Sequence, residues 1–191
     1  METNKIKDFK CAENPKGFSS NIMRTIRLEK VTLNCGTGTD PPKLERAYKL
    51  LSVITGKKPV RIRTVKRIPA FNLRPGLQIG CKVTIREKHM ELLKRLLDAV
   101  GNKLKLKQIC PGYFAFGIKE YIEIPGMAYN RDVGIMGLEV CVTLTRPGKK
   151  VMKKRIKRGK IPKRHYITKE ETISWLKQNF NTELVEKEVR Q

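Results

Sequence analysis

Histidine is nearly absent from this sequence, with two in 191 residues, His89 and His165, and neither belongs to an evident constellation with cysteine, serine or carboxylate. General acid–base chemistry recruits histidine most often, so no catalytic residue is expected. The five cysteines, Cys11, Cys35, Cys81, Cys110 and Cys141, are odd in number and scattered without a C-x-x-C pair. A disulfide framework and a zinc finger are both excluded by that spacing, and no metal or other cofactor is expected. No apolar run approaches the roughly 18 residues of a membrane span, and Met1 to Lys10 lacks the apolar core of a secretory signal. The expected setting is intracellular and soluble, with no membrane partner. Aromatic residues are only 6%, too few to furnish a broad stacking platform for single strands. Glycines precede a helix start in NCGTGTD, yet no G-x-x-x-x-G-K follows, which excludes a nucleotide-binding P-loop.

Positive charge is what the sequence does have. Lys and Arg number 42 against 18 Asp and Glu, a formal net charge of +24. A compact body at that charge repels itself unless a polyanion neutralises it, so the balance speaks of partners rather than fold. Two stretches carry the excess. Arg46 to Arg86 holds 11 basic residues and Val140 to Lys169 holds 12, both without an acid, while the remaining 19 basic and 18 acidic residues nearly cancel.

The chain reads as one α+β domain over residues 21–180, following a flexible N-terminal arm at 1–20 and preceding a tail at 181–191. Ile26, Leu28, Val31 and Leu33 predict a strand that slips at Lys30 as a bulge would make it do and stops at Asn34. Asp40 is placed to cap a helix whose apolar face is Leu44, Ala47, Leu51 and Ile54, ended by Gly56. VRIRTVKR then alternates, with Val60, Ile62 and Thr64 expected inward and Arg61 and Arg63 outward. LQIGCKVTIR likewise turns Leu77, Ile79, Cys81, Val83 and Ile85 inward and Gln78, Lys82, Thr84 and Arg86 outward. A second amphipathic helix follows from Lys88 to Val100. Tyr113–Ile118 and Tyr121–Ile124 read as a strand pair or bent strand, with the aromatics of GYFAFG assigned to the core rather than to base stacking. Leu138, Val140, Val142 and Leu144 mark a further strand. Thr168 and Glu171 form a capping box that opens a last helix through Phe180. The predicted sheet is mixed or largely antiparallel, with helices on one face and a basic opposite face.

Rows of guanidinium, ammonium and hydroxyl donors on a sheet face suit phosphate and 2'-hydroxyl groups, which makes Arg61, Arg63, Lys82, Thr84 and Arg86 candidate RNA contacts. Between RPG and the last helix, Lys149 to Arg164 places ten cations in sixteen residues. Such a segment, the long basic loop 149–165, is too charged to pack alone and is expected to become ordered on a polyanion. Its candidate contacts are Arg146, Lys149, Lys150, Lys153, Lys154, Arg155, Lys157, Arg158, Lys160, Lys163 and Arg164. An RNA-processing or RNA-modifying enzyme on a basic sheet is the alternative that composition leaves open.

Six ordered blocks, NIMRTIRLEKVTLNCGTG, LERAYKLLSVITGKKPV, LQIGCKVTIR, FAFGIKEYIEIPG, DVGIMGLEVCVTLTRPG and RHYITKEETISWL, resemble the L-five family of large-subunit ribosomal proteins from about Asn21 to Phe180. The insertion KKVMKKRIKRGKIPKRH after RPG is similar to the archaeal and eukaryotic branch. The resemblance implies a cytoplasmic ribosomal protein of the central protuberance that binds 5S ribosomal RNA and contacts large-subunit ribosomal RNA and neighbouring ribosomal proteins there. It implies that Asn34, Arg74 and Thr84 face 5S RNA, and that the segment from Lys58 to Phe71, with Arg61, Arg63, Lys66 and Arg67, reaches toward transfer RNA in the peptidyl site. Where the family usually has Gln after the helix-closing Gly, this chain has Lys57, which exchanges a base-edge contact for a phosphate contact. The family's Tyr-Asp-Pro is here Tyr129-Asn130-Arg131, and its Phe-Gly-Ile-Arg is Phe71-Asn72-Leu73-Arg74.

Overall fold

A computed structural model describes residues 21–87 and 89–185; the arm at 1–20 lies outside them. In chain order the elements are β1 (Arg27–Gly36), α1 (Pro41–Thr55), β2 (Val60–Arg63), β3 (Gln78–Ile85) and α2 (His89–Asp98). There follow β4 (Lys103–Lys105), β5 (Ile109–Cys110), β6 (Tyr113–Ile118), β7 (Leu138–Thr145), α3 (Lys150–Lys153), α4 (Lys169–Phe180) and β8 (Glu183–Val185). Six strands form one sheet in the order β2-β3-β1-β7-β6-β5, every neighbour antiparallel.

Alternation decides which face is apolar. Val31, Leu33 and Cys35 of β1, Cys81, Val83 and Ile85 of β3, and Val140, Val142 and Leu144 of β7 are all buried on one side. On that side α1 contributes Leu44, Ala47, Leu50, Leu51 and Ile54, and α2 contributes Leu92, Leu93, Leu96 and Leu97, each at helical spacing. Near the opposite edge, Phe114 and Phe116 of β6 are buried, and Trp175 and Leu176 of α4 join the same core. The expected core assignment holds for these two phenylalanines, whereas Tyr113 beside them is exposed.

Caps account for the helix ends. α1 stops at Gly56, whose φ of 63° is left-handed and closes the last turn through its N–H to Ser52. At its start Asp40 is the cap residue, but its side chain bonds no helix amide and instead pairs with Lys43 at 2.9 Å. The Thr168–Glu171 capping box on α4 is present in both directions.

Several expectations change. β1 runs two residues past Asn34 because Cys35 and Gly36 still pair with Cys81 and Gly80 of β3. Its bulge is there, with the register against β7 shifting between Leu28 and Lys30. Tyr121–Ile124 is not a strand: Tyr121–Glu123 forms a 3-10 turn that buries Tyr121 and Ile124. The stretch after Phe180 is not wholly a tail, since β8 pairs in parallel with β4 in a separate two-stranded sheet. The basic segment also has more local structure than its charge predicts, with one helical turn in α3 and a 3-10 turn at Lys163–His165.

β2 is the largest departure. It occupies the edge of the sheet, where Val60 is 60% exposed. Directly opposed residues of antiparallel strands share a face, and Arg61 opposes the buried Cys81 while Val60 opposes the exposed Lys82. Arg61 is therefore on the helix side, and Ile62 on the open side. A register shift after Ile62 then brings Arg63 opposite Gln78, back to the open face. Arg61 and Arg63 do not form one row, because a single bulge reverses the parity between them.

Candidate nucleic-acid interface

The sheet face away from the helices is assembled from cross-strand rows. One row reads Val60, Lys82, Asn34, Glu139 and Gly117; the next reads Thr84, Thr32, Cys141 and Ala115; a third joins Lys30, Thr143 and Tyr113. Small and hydroxyl-bearing side chains dominate, so the surface is low and rich in donors and acceptors. It is less basic than the alternation of β3 alone predicts: Lys82, Lys30 and, opposite Thr145, Arg27 are its cations, with Arg63 and Arg86 at the rim, and Glu139 sits among them. The Asn34 amide donates to Glu139 at 3.1 Å, which turns its nitrogen toward that carboxylate. Gly80 in this sheet permits a close approach, since a Cβ there would stand 2.6 Å from the Cys35 carbonyl oxygen.

Charge at this face does not come from its thiol. Burial, with Glu139 adding to it, pushes the Cys141 thiol upward, so it stays neutral at physiological pH although its side chain is exposed. On the apolar side the Cys35 thiol is pushed up to about 11, first by burial and then by Cys81 and Glu139.

The fold also supplies acids that the linear sequence keeps apart from the basic stretches. Arg61 donates to Glu45 of α1 at 2.6 Å and lies over the Tyr48 ring at 5.4 Å from its centroid. Lys57, just past the cap of α1, is 3.7 Å from Glu87. Lys153 pairs with Glu29 at the β1 bulge. Arg146 is only 7% exposed and pairs with Glu171 at 2.6 Å. Sequence reasoning names all four as RNA contacts, yet each guanidinium or ammonium already faces a carboxylate, and Arg146 is turned into the protein.

Two exposed structures carry much of the remaining charge. The connection from β2 to β3 is a closed finger, with Thr64 N–H donating to Leu77 and Gly76 N–H to Thr64, both at 2.8 Å, and Ile68 and Leu73 exchanging backbone bonds at 3.1 Å. Lys58 lies at the approach to β2, and Lys66, Arg67 and Arg74 project from the finger; Val65 is 88% and Phe71 71% exposed there. In the basic segment Lys150, Lys154, Arg155, Lys157, Arg158, Lys160, Lys163 and Arg164 are exposed, and Lys149 is half-buried. Between this segment and the turn at Ile22–Arg24 runs a groove of about 490 Å³ lined by Arg24, Gly148, Ile161, Pro162, Arg164 and His165. Sequence reasoning misses Arg27, Lys30, Thr32, Thr143 and Tyr113 on the open face. The alternation in LEVCVTLT is a signal for Thr143, but placing these residues together requires the order of the strands.

A small α+β domain with a low, donor-rich sheet face, a cationic finger and a cationic segment is a protein built to lie against a polyanion. The family described as Ribosomal protein L5 matches residues 21–74, and the C-terminus of the same ribosomal family matches residues 78–175. The chain is 48% identical over 165 residues to the large ribosomal subunit protein uL5 of Nanoarchaeum equitans, covering 85% of this chain and 98% of that one. It is 43% identical over 168 residues to the protein of the same name from Sulfolobus acidocaldarius, covering 87% and 94%. With that from Sulfurisphaera tokodaii the identity is 46% over 169 residues, covering 87% and 96%. The chain belongs to the ribosomal protein L5 family, in its archaeal-type branch. That family is structural rather than enzymatic, which sets aside the RNA-modifying alternative.

Proposed function

We propose that this chain is a structural constituent of the large ribosomal subunit on the cytoplasmic ribosome, lying with its open sheet face on 5S ribosomal RNA in the central protuberance. The basic segment 149–165 meets large-subunit ribosomal RNA, the finger carrying Lys66 and Arg67 extends toward peptidyl-site transfer RNA while Arg74 on its return limb faces 5S RNA, and neighbouring ribosomal proteins complete the surroundings. The observation that carries this reading is the row chemistry of the open face. Thr32, Thr84 and Asn34 offer short hydroxyl and amide groups, Gly36, Gly117 and Ala115 keep the surface low, and Lys82 stands beside them. A ribose–phosphate backbone can approach such a face closely, with 2'-hydroxyls meeting the short polar groups and phosphates meeting the cations.

Two substitutions separate positioning from specificity. Thr84→Val keeps the shape but leaves an RNA group unpaired, at a cost of about 1–3 kcal/mol for a buried contact on cognate 5S RNA. Lys82→Ala is expected to weaken binding to all RNAs alike and to lower the salt slope by about one. Filter binding with 5S RNA and an unrelated RNA of equal length reads both. Negligible effects of both changes on 5S RNA would mean that this face looks elsewhere.

A further inference from the structure

We propose that Arg146 is a positioning residue: it holds the two ends of the basic segment together at a fixed neck and does not itself meet RNA. The inference rests on the reading of that segment as an RNA-binding element. Arg146 directly follows β7, and its guanidinium is spent on the protein interior. Nη1 donates to the carbonyl oxygens of Arg164 and Tyr166, each at 3.4 Å, and Nη2 donates to Glu171 Oε1 at 2.6 Å. Residues 18 and 20 positions further along the chain are thus tied back to the end of β7 by one side chain.

The tie continues into α4. The other oxygen of Glu171 accepts from the Thr168 N–H at 3.0 Å, and Thr168 Oγ1 accepts from the Glu171 N–H at 3.3 Å, so the carboxylate that anchors Arg146 is itself held by the capping box. Further bonds close the neck. His165 Nε2 is 2.8 Å from the Pro147 carbonyl oxygen, and the Tyr166 hydroxyl donates to Met152 Sδ at 3.3 Å. Lys153 is fastened to Glu29 on β1. Arg164 and His165, positioned by this neck, form one wall of the 490 Å³ groove.

Only a guanidinium suits the place. Its planar fork presents several donors in fixed directions, so two carbonyls and a carboxylate are met at once, whereas an ammonium on a flexible stem concentrates its charge at one point. A segment fixed in advance loses less freedom when it binds, and that saving appears as affinity. A phosphate contact by Arg146 would require breaking the pair with Glu171.

The test uses the full chain, with Arg146→Met, Arg146→Lys and, as an exposed comparison, Lys160→Ala. Binding to deproteinised large-subunit ribosomal RNA is measured across salt, well below each unfolding midpoint, and amide hydrogen exchange is followed without RNA. Both Arg146 variants are expected to lose protection at Gly159, His165 and Tyr166 while β7 stays protected. Both should bind about tenfold more weakly, with the salt slope of the parent. Lys160→Ala should lower the slope by about one and leave exchange unchanged. Wild-type affinity in Arg146→Lys would overturn the proposal, because charge alone would then suffice. So would a lowered slope without an exchange change in Arg146→Met, or lost protection with full affinity in both variants. Should Arg146→Met fail to fold, Arg146→Lys carries the test. Failure of the parent to bind RNA would instead remove the functional reading, and the exchange measurement alone would then decide whether Arg146 holds the neck.

Discussion

Between about 50 and 200 mM salt, the affinity of the isolated protein for 5S ribosomal RNA is expected to fall by roughly a thousandfold or more, as six to ten phosphate contacts on duplex dictate. Phosphate neutralisation by Lys and Arg releases condensed counterions, and added salt opposes that release. Arg146 is buried against Glu171, and Lys57, Arg61 and Lys153 each share their charge with a carboxylate at the surface, so the expected fall does not depend on these four. Exposed cations remain on the open face and its rim, on the finger and along the basic segment, enough for that number of contacts. Single-stranded parts of the RNA give a shallower slope per contact. A flat response across this range would refute the electrostatic account.

Phe114→Ala is expected to destabilise the fold by about 3–5 kcal/mol, the cost of deleting a large buried side chain and leaving a cavity. Phe114 is fully buried on β6, opposes Val142 of β7 and Ile109 of β5, and stacks on Phe116 with ring centroids 6.4 Å apart and planes within 10°. Little can relax into the space, because strands flank it on both sides. For a domain of this size the unfolding midpoint should drop by roughly 6–20 °C, readable by calorimetry. A shift under about 2 °C would place Phe114 outside the core and reopen its assignment to base stacking.

The elements legible in the sequence are those whose periodicity is long and whose ends carry caps. α1 spans fifteen residues with one apolar face and Gly56 behind it, and β3 and β7 alternate cleanly over eight. β2 resists such reading because it has only four residues, lies at an edge and is followed by a bulge. Over so short a stretch, inward and outward cannot be told apart until the register against β3 is known. Tyr121 and Ile124 are apolar because a turn buries them, and burial alone does not distinguish a turn from a strand. Arg146 shows a different limit of such reading. Its charge matches the segment it opens, while the carboxylate that neutralises it lies 25 residues away. The acid-free stretches measure the size of the cationic surface, but only the tertiary pairing says which of those charges are spent inside.

Cys141 reports on the central claim. It lies in the middle of the open face, between Thr32 of β1 and Ala115 of β6, and its side chain is exposed, whereas Cys35 and Cys81 are buried on the other side of the sheet. Site-resolved alkylation with an uncharged maleimide, in free protein and in complex with 5S ribosomal RNA, measures whether RNA covers that face. The account predicts that RNA slows alkylation of Cys141 by more than about tenfold, because thiol reactivity requires access as well as thiolate, and that salt sufficient to dissociate the complex restores the rate. Alkylation of Cys141 at the same rate in the intact complex as in free protein would contradict it.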